Sequence, residues 1–130
     1  MLALSIRQPY AELILRGIKT AELRSRSTRI VGERFYIYAS KVKATVPIWS
    51  KDLEIGTPPA WLTELARQVR LIDPDDDLPT GVIVGTAVID RVIAPQFPDD
   101  LYHWQLRDVE RLAHPRKPTR HPQPMWFRPW

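Results

Sequence analysis

The chain has 130 residues, of which 44% are hydrophobic and none is cysteine. This length fits one domain with its own core. No apolar run reaches the ~20 residues needed to cross a bilayer, and the lack of cysteine excludes disulfide scaffolds and thiolate metal sites. The formal net charge of +4 is unevenly spread, since residues 1–43 and 101–130 are basic and residues 44–100 are acidic. Basic ends that share one face would attract nucleic acid; the alternative is a surface of scattered charges.

The first forty residues predict a strand, a helix and two further strands. The apolar run Leu2–Ile6 is typical of a buried strand, and it lacks the basic segment of a secretory signal, so we expect a cytoplasmic protein. Pro9 suits the first turn of a helix that Gly17 would end. Thr20–Arg26 alternates between polar and apolar residues, and Glu33–Ser40 is rich in strand-forming residues.

The rest of the chain predicts one more helix and the remaining strands. Thr57-Pro58-Pro59 indicates a helix start, and Thr80–Ile93 is the longest predicted strand, with glycines that mark bends or bulges. Proline is frequent after residue 94, so this region should be extended rather than helical. Shorter strands are predicted at Tyr102–Leu106, Val109–Leu112 and Met125–Arg128.

These elements predict a single domain spanning residues 1–130. About six short strands with two or three peripheral helices fit an α+β fold built on a small mixed β-barrel. The acidic run at residues 73–77 lacks the glycine and the final glutamate of an EF-hand, so it is interpreted as a solvated loop. The basic stretch His114–His121 is also interpreted as a loop, suited to salt-sensitive contacts with phosphate.

A cluster of charged residues follows the first helix. Extended backbone over residues 20–26 would place Glu22, Arg24 and Arg26 on one face, with Lys19 in the preceding turn. A carboxylate among cations suits the rim of a cleft. The alternative is an edge strand whose charges face water, because such clusters mark sites only in a fraction of cases.

The pattern Gly17-x-Lys19-x-x-Glu22-x-Arg24 resembles that of the ASCH (activating signal cointegrator homology) domain family. Further segments match the family's motifs in order along nearly the whole chain, with Pro124 in place of the family's glycine. They are Leu4-Ser5-Ile6-Arg7-Gln8-Pro9-Tyr10-Ala11, Gly32–Ser40, Leu78–Gly85 and Gln123–Phe127.

The resemblance implies a PUA-like β-barrel with a cleft beside the first helix, lined by Lys19, Glu22 and Arg24. Some members of the family bind nucleic acid, and others are amidohydrolases that deacylate N4-acetylcytidine or metal-dependent ribonucleases, so membership leaves the activity open. In the amidohydrolase branch a threonine stands in place of Glu22, and Glu64 and Glu110 are the candidates for its catalytic glutamate. The chain is more similar to the binding branch.

We therefore predict a basic cleft that binds RNA, single-stranded DNA or a (modified) nucleotide. Arg24 and Arg26 would pair with phosphate oxygens, and Lys19 would act as a point charge. Glu22 would accept hydrogen bonds from an exocyclic amine of a base, or only hold Arg24 in place. Tyr10 would stack on a base, or only pack the helix on the barrel.

Four residues complete the predicted site. Gln8 would turn its amide toward the cleft, Ser40 and Lys41 would lie at its mouth, and Trp126 would form the opposite wall or belong to the core. In the alternative of a hydrolase, Lys19 would need a lowered pKa, which nearby Arg24 favours, and Glu22 would be the general acid or base. The sequence indicates no metal site and no cofactor, and leaves the oligomeric state open.

Overall fold

A computed structural model of the protein describes residues 1–44, 60–73 and 75–130. The predicted helix start at residues 57–59 lies outside the described residues. Within them the chain forms six strands and two helices. In chain order these are β1 (Ala3–Ile6), α1 (Tyr10–Leu15), β2 (Ala21–Arg24), β3 (Arg34–Ala39), α2 (Ala60–Val69), β4 (Val82–Ile93), β5 (Tyr102–Arg116) and β6 (Trp126–Phe127).

The six strands form one mixed sheet in the order β2-β5-β4-β3-β1-β6. All neighbouring pairs are antiparallel except β1 and β3, which run parallel and therefore need the crossover through α1 and β2. The sheet curls into a half-barrel, and the prediction of a small PUA-like α+β fold is confirmed. Because β1 and β3 are parallel neighbours, their C-terminal ends lie side by side at one end of the sheet, and the site lies there.

The concave face of the sheet holds the main core. Trp104 and Phe35 are fully buried there, and the rings of both contact Trp126. The Trp126 ring stacks on Trp104 with 6.1 Å between ring centres and meets Phe35 edge-on at 5.3 Å. The Trp104 indole N–H donates to the carbonyl of Arg26 at 2.9 Å. A buried indole needs such an acceptor, so this bond ties the chain just after β2 to β5.

A second, smaller core lies on the other face of the sheet. Tyr38 is paired across the sheet with Ile83, and both pack with Phe127 of β6 in one buried cluster. Trp130 covers the edge of this cluster and meets the Tyr36 ring at 5.2 Å. The chain after β5 therefore folds back over the sheet and is held there by aromatic contacts.

The structure corrects the predicted strands near the C-terminus. The two segments predicted at 102–106 and 109–112 are one strand, β5, which continues through residues interpreted as a loop. Asp108 adopts a positive φ of 50° at an irregularity in its pairing with β4, which explains the apparent break in the sequence pattern. Pro115 is accommodated because β2 pairs only with residues 102–105, so this part of β5 has a free edge.

The structure also tests the predicted strand at residues 20–26 and the predicted irregularity at Gly85. The strand predicted at residues 20–26 is shorter, Ala21–Arg24, because the chain turns away after the last residue paired with β5. The irregularity predicted at Gly85 is confirmed, since the pairing with β5 shifts between Ile83 and Gly85. A Cβ at Gly85 would lie 2.5 Å from the carbonyl oxygen of Glu110, so the close approach of β5 requires glycine here.

Candidate nucleic-acid interface

A cavity of about 610 Å³ opens where β1 and β3 end. Its volume lies in the range typical of small-molecule sites. It is bordered by residues from β1 and the turn after it, α1, β2, the end of β3 and the chain before β6. The lining residues are Ser5, Ile6, Arg7, Tyr10, Glu22, Leu23, Arg24, Tyr38, Ser40, Lys41, Val42, His121, Pro122, Gln123, Pro124 and Met125.

A buried ion cluster forms the wall on the β2 side of the cavity. Lys19 and Glu22 are 4% and 5% exposed, and the lysine Nζ donates to Glu22 Oε1 at 3.1 Å and to the carbonyl of Ala21. The other carboxylate oxygen, Oε2, accepts from Arg24 Nε at 3.1 Å and from Nη2 at 2.8 Å. Glu22 thus holds one cation behind the wall and one at its surface.

Burial acts on this cluster in opposite directions for the two partners. Burial raises the pKa of Glu22, but the charges of Lys19 and Arg24 outweigh it, so its pKa lies below the usual value. Burial lowers the pKa of Lys19, and the charge of Glu22 only partly offsets this effect. The carboxylate is therefore ionised at neutral pH and available as an acceptor.

Arg24 is fixed in place on three sides. Its Nη2 also donates to the carbonyl of Ser5 at 2.7 Å, and its guanidinium lies 5.9 Å from the centre of the Trp104 ring. Among the described residues nothing accepts a hydrogen bond from Nη1. The side chain is 23% exposed, so it presents oriented donors to the cavity beside the Glu22 carboxylate.

The opposite wall is the chain between β5 and β6. Ser5 holds it in two places, because its Oγ donates to the carbonyl of Gln123 at 2.6 Å and its backbone N–H donates to the carbonyl of Met125 at 2.9 Å. Tyr10 borders the cavity from α1 and is half-buried. Burial, assisted by the Glu22 charge, raises the pKa of its hydroxyl, which therefore stays protonated.

The rim of the cavity is basic. Arg7, Lys41 and His121 are exposed there, and Arg24 adds a third full positive charge against the single carboxylate of Glu22. Ser40 lies beside Lys41 at the end of β3. An anionic ligand entering this cavity therefore meets a positive rim before it reaches the oriented donor and acceptor within.

Four of the predicted site residues do not line the cavity. Gln8 is 1% exposed, and its amide is used within the fold, where it donates to the carbonyl of Pro79 and accepts from the N–H of Glu12, both at 3.0 Å. Lys19 lies behind Glu22. Arg26 is exposed beyond the end of β2, and Trp126 packs in the aromatic core.

The physical reason differs for Gln8, Arg26 and Trp126. Gln8 precedes α1 and satisfies a backbone N–H of its first turn. Arg26 and Glu22 share a face only if the strand continues, and β2 ends at Arg24. Trp126 alternates with Met125, so the neighbour and not the indole faces the cavity.

Several lining residues escaped the sequence interpretation. Tyr38 is one of three aromatic residues in β3, and the strand pattern does not distinguish it from the others. His121 enters the interpretation only as part of a basic stretch. Ser5, Arg7, Tyr38 and Gln123 all lie in the segments that resemble family motifs, which is the signal that would have found them.

Residues 1–44, 60–73 and 75–130 contain neither a candidate metal-binding cluster nor a candidate membrane-spanning helix. There, no group of three or more His, Cys, Asp or Glu side chains comes close enough to hold a metal ion. Neither helix in these ranges has the length and apolar character needed to span a membrane.

The chain matches a known protein-family model. The protein-family model of the ASCH domain matches residues 4–114, which includes β2 to β4, most of β1 and β5, and the whole ion cluster. A search of curated proteins finds no match.

Proposed function

Because the chain belongs to the ASCH domain family, we propose that it binds RNA or single-stranded DNA, or a (modified) nucleotide, by taking one base into the cavity. The family is generally RNA-binding and PUA-like. The observation that carries the proposal is the side-by-side placement of the Glu22 carboxylate and the Arg24 guanidinium at the wall of a cavity with a basic rim.

This pair supplies the groups that read a base edge. A carboxylate accepts from an exocyclic amine, such as that of cytosine or guanine, and a guanidinium donates to a ring nitrogen or carbonyl beside it. Both groups are held by buried partners, so little entropy is lost when they engage a ligand. Tyr10, at the mouth of the cavity, supplies a ring on which the base can stack.

The rim supplies contacts to phosphate. Arg7 and Lys41 are exposed, and no carboxylate lies within ion-pair distance of them among the described residues. When such cations neutralise phosphates, counterions condensed on the nucleic acid are released, so the logarithm of the affinity should fall linearly with the logarithm of the salt concentration. Three of the predicted site residues support the fold in this proposal: Gln8, Lys19 and Trp126. Ser40 lies at the rim of the cavity, and Arg26 lies outside it.

The test is fluorescence anisotropy with labelled single-stranded RNA, single-stranded DNA and duplex DNA at several salt concentrations. We expect saturable binding of single strands and weaker binding of the duplex, whose bases are not free to enter the cavity. Arg24→Lys keeps the charge but loses the planar fork, and should weaken binding by about 10–100-fold. Arg91→Lys, an exposed arginine at the far end of β4, is the matched control.

Two results would contradict the proposal. One is no single-strand binding at low salt, and the other is an Arg24→Lys variant that folds normally and binds as well as the Arg91→Lys control. Circular dichroism of both variants checks that the fold is kept.

A second candidate function, hydrolysis of an acylated cytidine, is favoured by one observation. Lys19 is buried against a carboxylate, and burial lowers its pKa, as a nucleophilic amine requires. Its Nζ lies behind Glu22, however, and neither Glu64 nor Glu110 lines the cavity. Incubation with N4-acetylcytidine should then release cytidine with the natural chain and not with Lys19→Met; no product from the natural chain would eliminate this candidate.

A further inference from the structure

We infer that the chain after β5 is a second part of the nucleic-acid interface, along which the phosphate backbone of a single-stranded polynucleotide leaves the cavity. We call the segment from Arg116, the last residue of β5, to Trp130 the C-terminal strap. This inference rests on the proposed function and adds that the natural ligand is a polymer rather than a free nucleoside. The whole strap lies beyond the family match, which ends at residue 114.

The charge of the strap is one-sided. Residues 112–130 contain no Asp or Glu, whereas the strap carries Arg116, Lys117, Arg120 and Arg128. All four side chains are exposed. Among the described residues, no carboxylate pairs with any of them, in contrast to Arg67 and Arg107, which lie in ion pairs.

Hydrogen bonds bring these cations together next to the cavity. The N–H groups of Thr119 and Arg120 donate to the carbonyl of Pro129 at 2.9 and 3.0 Å, so the two halves of the strap run side by side and Arg120 lies near Arg128. The following residues, His121 to Met125, form the cavity wall itself. The basic surface is therefore continuous with the cavity.

The register of the sheet places Arg116 on the same side. Ser5, Tyr38, Ile83 and Arg116 are successive partners across β1, β3, β4 and β5, and directly paired residues share a face. The first two of them line the cavity. At about 4.8 Å between strands, the row extends about 14 Å from Ser5 to Arg116, of which about 10 Å lies beyond Tyr38.

The strap is held rigidly enough to act as a surface. Arg116 stacks on Trp130, 3.8 Å from its ring centre, and Pro129 and Phe127 are buried. A disordered basic tail would lose entropy on binding, whereas this strap already holds its backbone and the Arg116 side chain in place. A duplex fits poorly, because the base that enters the cavity must be unpaired.

The test compares two probes, a fluorescein-labelled cytidine trimer and a cytidine dodecamer, by anisotropy at several salt concentrations. The strap variant Lys117→Gln/Arg120→Gln/Arg128→Gln leaves the aromatic contacts and the cavity untouched. The matched control Arg29→Gln/Arg70→Gln/Arg91→Gln removes the same charge from exposed positions elsewhere that, like those of the strap, form no ion pair among the described residues. Arg24→Gln serves as the cavity variant.

We expect the strap variant to bind the dodecamer about tenfold more weakly at low salt, with the slope of log affinity against log salt reduced by about two, since each lost phosphate contact removes ~0.7. Trimer binding should stay as in the natural chain, and the control variant should keep both affinities. Arg24→Gln should weaken both probes.

Each other outcome has a distinct meaning. If the natural chain binds neither probe, the proposed function fails and the inference fails with it. If the natural chain binds both probes and the strap variant keeps the dodecamer affinity and salt slope, the inference is wrong while the proposed function stands. An equal loss in the control variant would also overturn it, since net charge alone would then explain the effect.

Discussion

Replacing Glu22 with glutamine should lower the free energy of unfolding by about 3–5 kcal/mol, because it leaves a buried charge without its partner. Lys19 is 4% exposed and keeps only the carbonyl of Ala21 and an uncharged amide oxygen as acceptors. Arg24, which is 23% exposed, can still reach water. Most of the cost therefore comes from the lysine, and it is a large fraction of the ~5–15 kcal/mol that stabilises a typical domain.

The same geometry predicts an asymmetry. Lys19→Met leaves Glu22 paired with Arg24 through two hydrogen bonds, so it should cost less than about 2 kcal/mol. The double variant Lys19→Met/Glu22→Gln should be more stable than the sum of the single changes implies, by about 1–3 kcal/mol. Urea unfolding followed by circular dichroism measures all four proteins.

Two outcomes would refute this reasoning. A Glu22→Gln protein within about 1 kcal/mol of the natural chain would mean that the lysine is not held as a buried cation. Additive effects in the double variant would mean that the two side chains do not depend on each other for stability.

Three further predictions concern the scaffold. Hydrogen bonds from Arg111 lower the pKa of Glu12 despite burial. The stability that this pair contributes is therefore present above the ordinary glutamate pKa of about 4.3 and is lost as pH falls through the lower pKa of the folded state. Thermal unfolding of Glu12→Gln should lack this acid-dependent loss of stability, and a pH profile equal to that of the natural chain would contradict the prediction. Gly85→Ala places a Cβ 2.5 Å from Leu15 Cδ2 and from a β5 carbonyl oxygen, so urea unfolding should show a free energy of unfolding lower by about 1–3 kcal/mol. A variant more stable than the natural chain would mean that β5 does not approach Gly85 this closely. Trp104→Phe removes a buried N–H donor and should cost about 2 kcal/mol in the same assay; a loss below about 0.5 kcal/mol would mean that its acceptor finds water.

The elements with strong local signals were predictable. Three features each specify their own local structure: the apolar run before α1, the glycine that follows α1, and the aromatic residues of β3. The prediction of a small α+β barrel is confirmed. Gly17 has a positive φ of 76°, as a helix C-terminus requires. Prediction failed in β5, where Asp108 and Pro115 interrupt the pattern and long-range pairing with β4 outweighs them.

The candidate site was predictable only in part, since the sequence indicates which residue types cluster but not the depth of each side chain. The spacing of Glu22 and Arg24 placed them together on β2, and the structure puts both at the cavity wall. Lys19 belongs to the same motif, yet it lies behind that wall, because its ammonium donates hydrogen bonds to Glu22 and to a backbone carbonyl.

By itself, the sequence determined the local elements, the excess of positive charge at both ends and the charged motif after α1, because propensity, periodicity and spacing act over a few residues. Only the tertiary structure decided that residues 121–125 complete a cavity begun by residues 5–42. That closure depends on hydrogen bonds from Ser5 to Gln123 and Met125, partners more than a hundred positions apart. No local pattern encodes such a contact, because it forms only after the sheet has brought both ends of the chain to one edge.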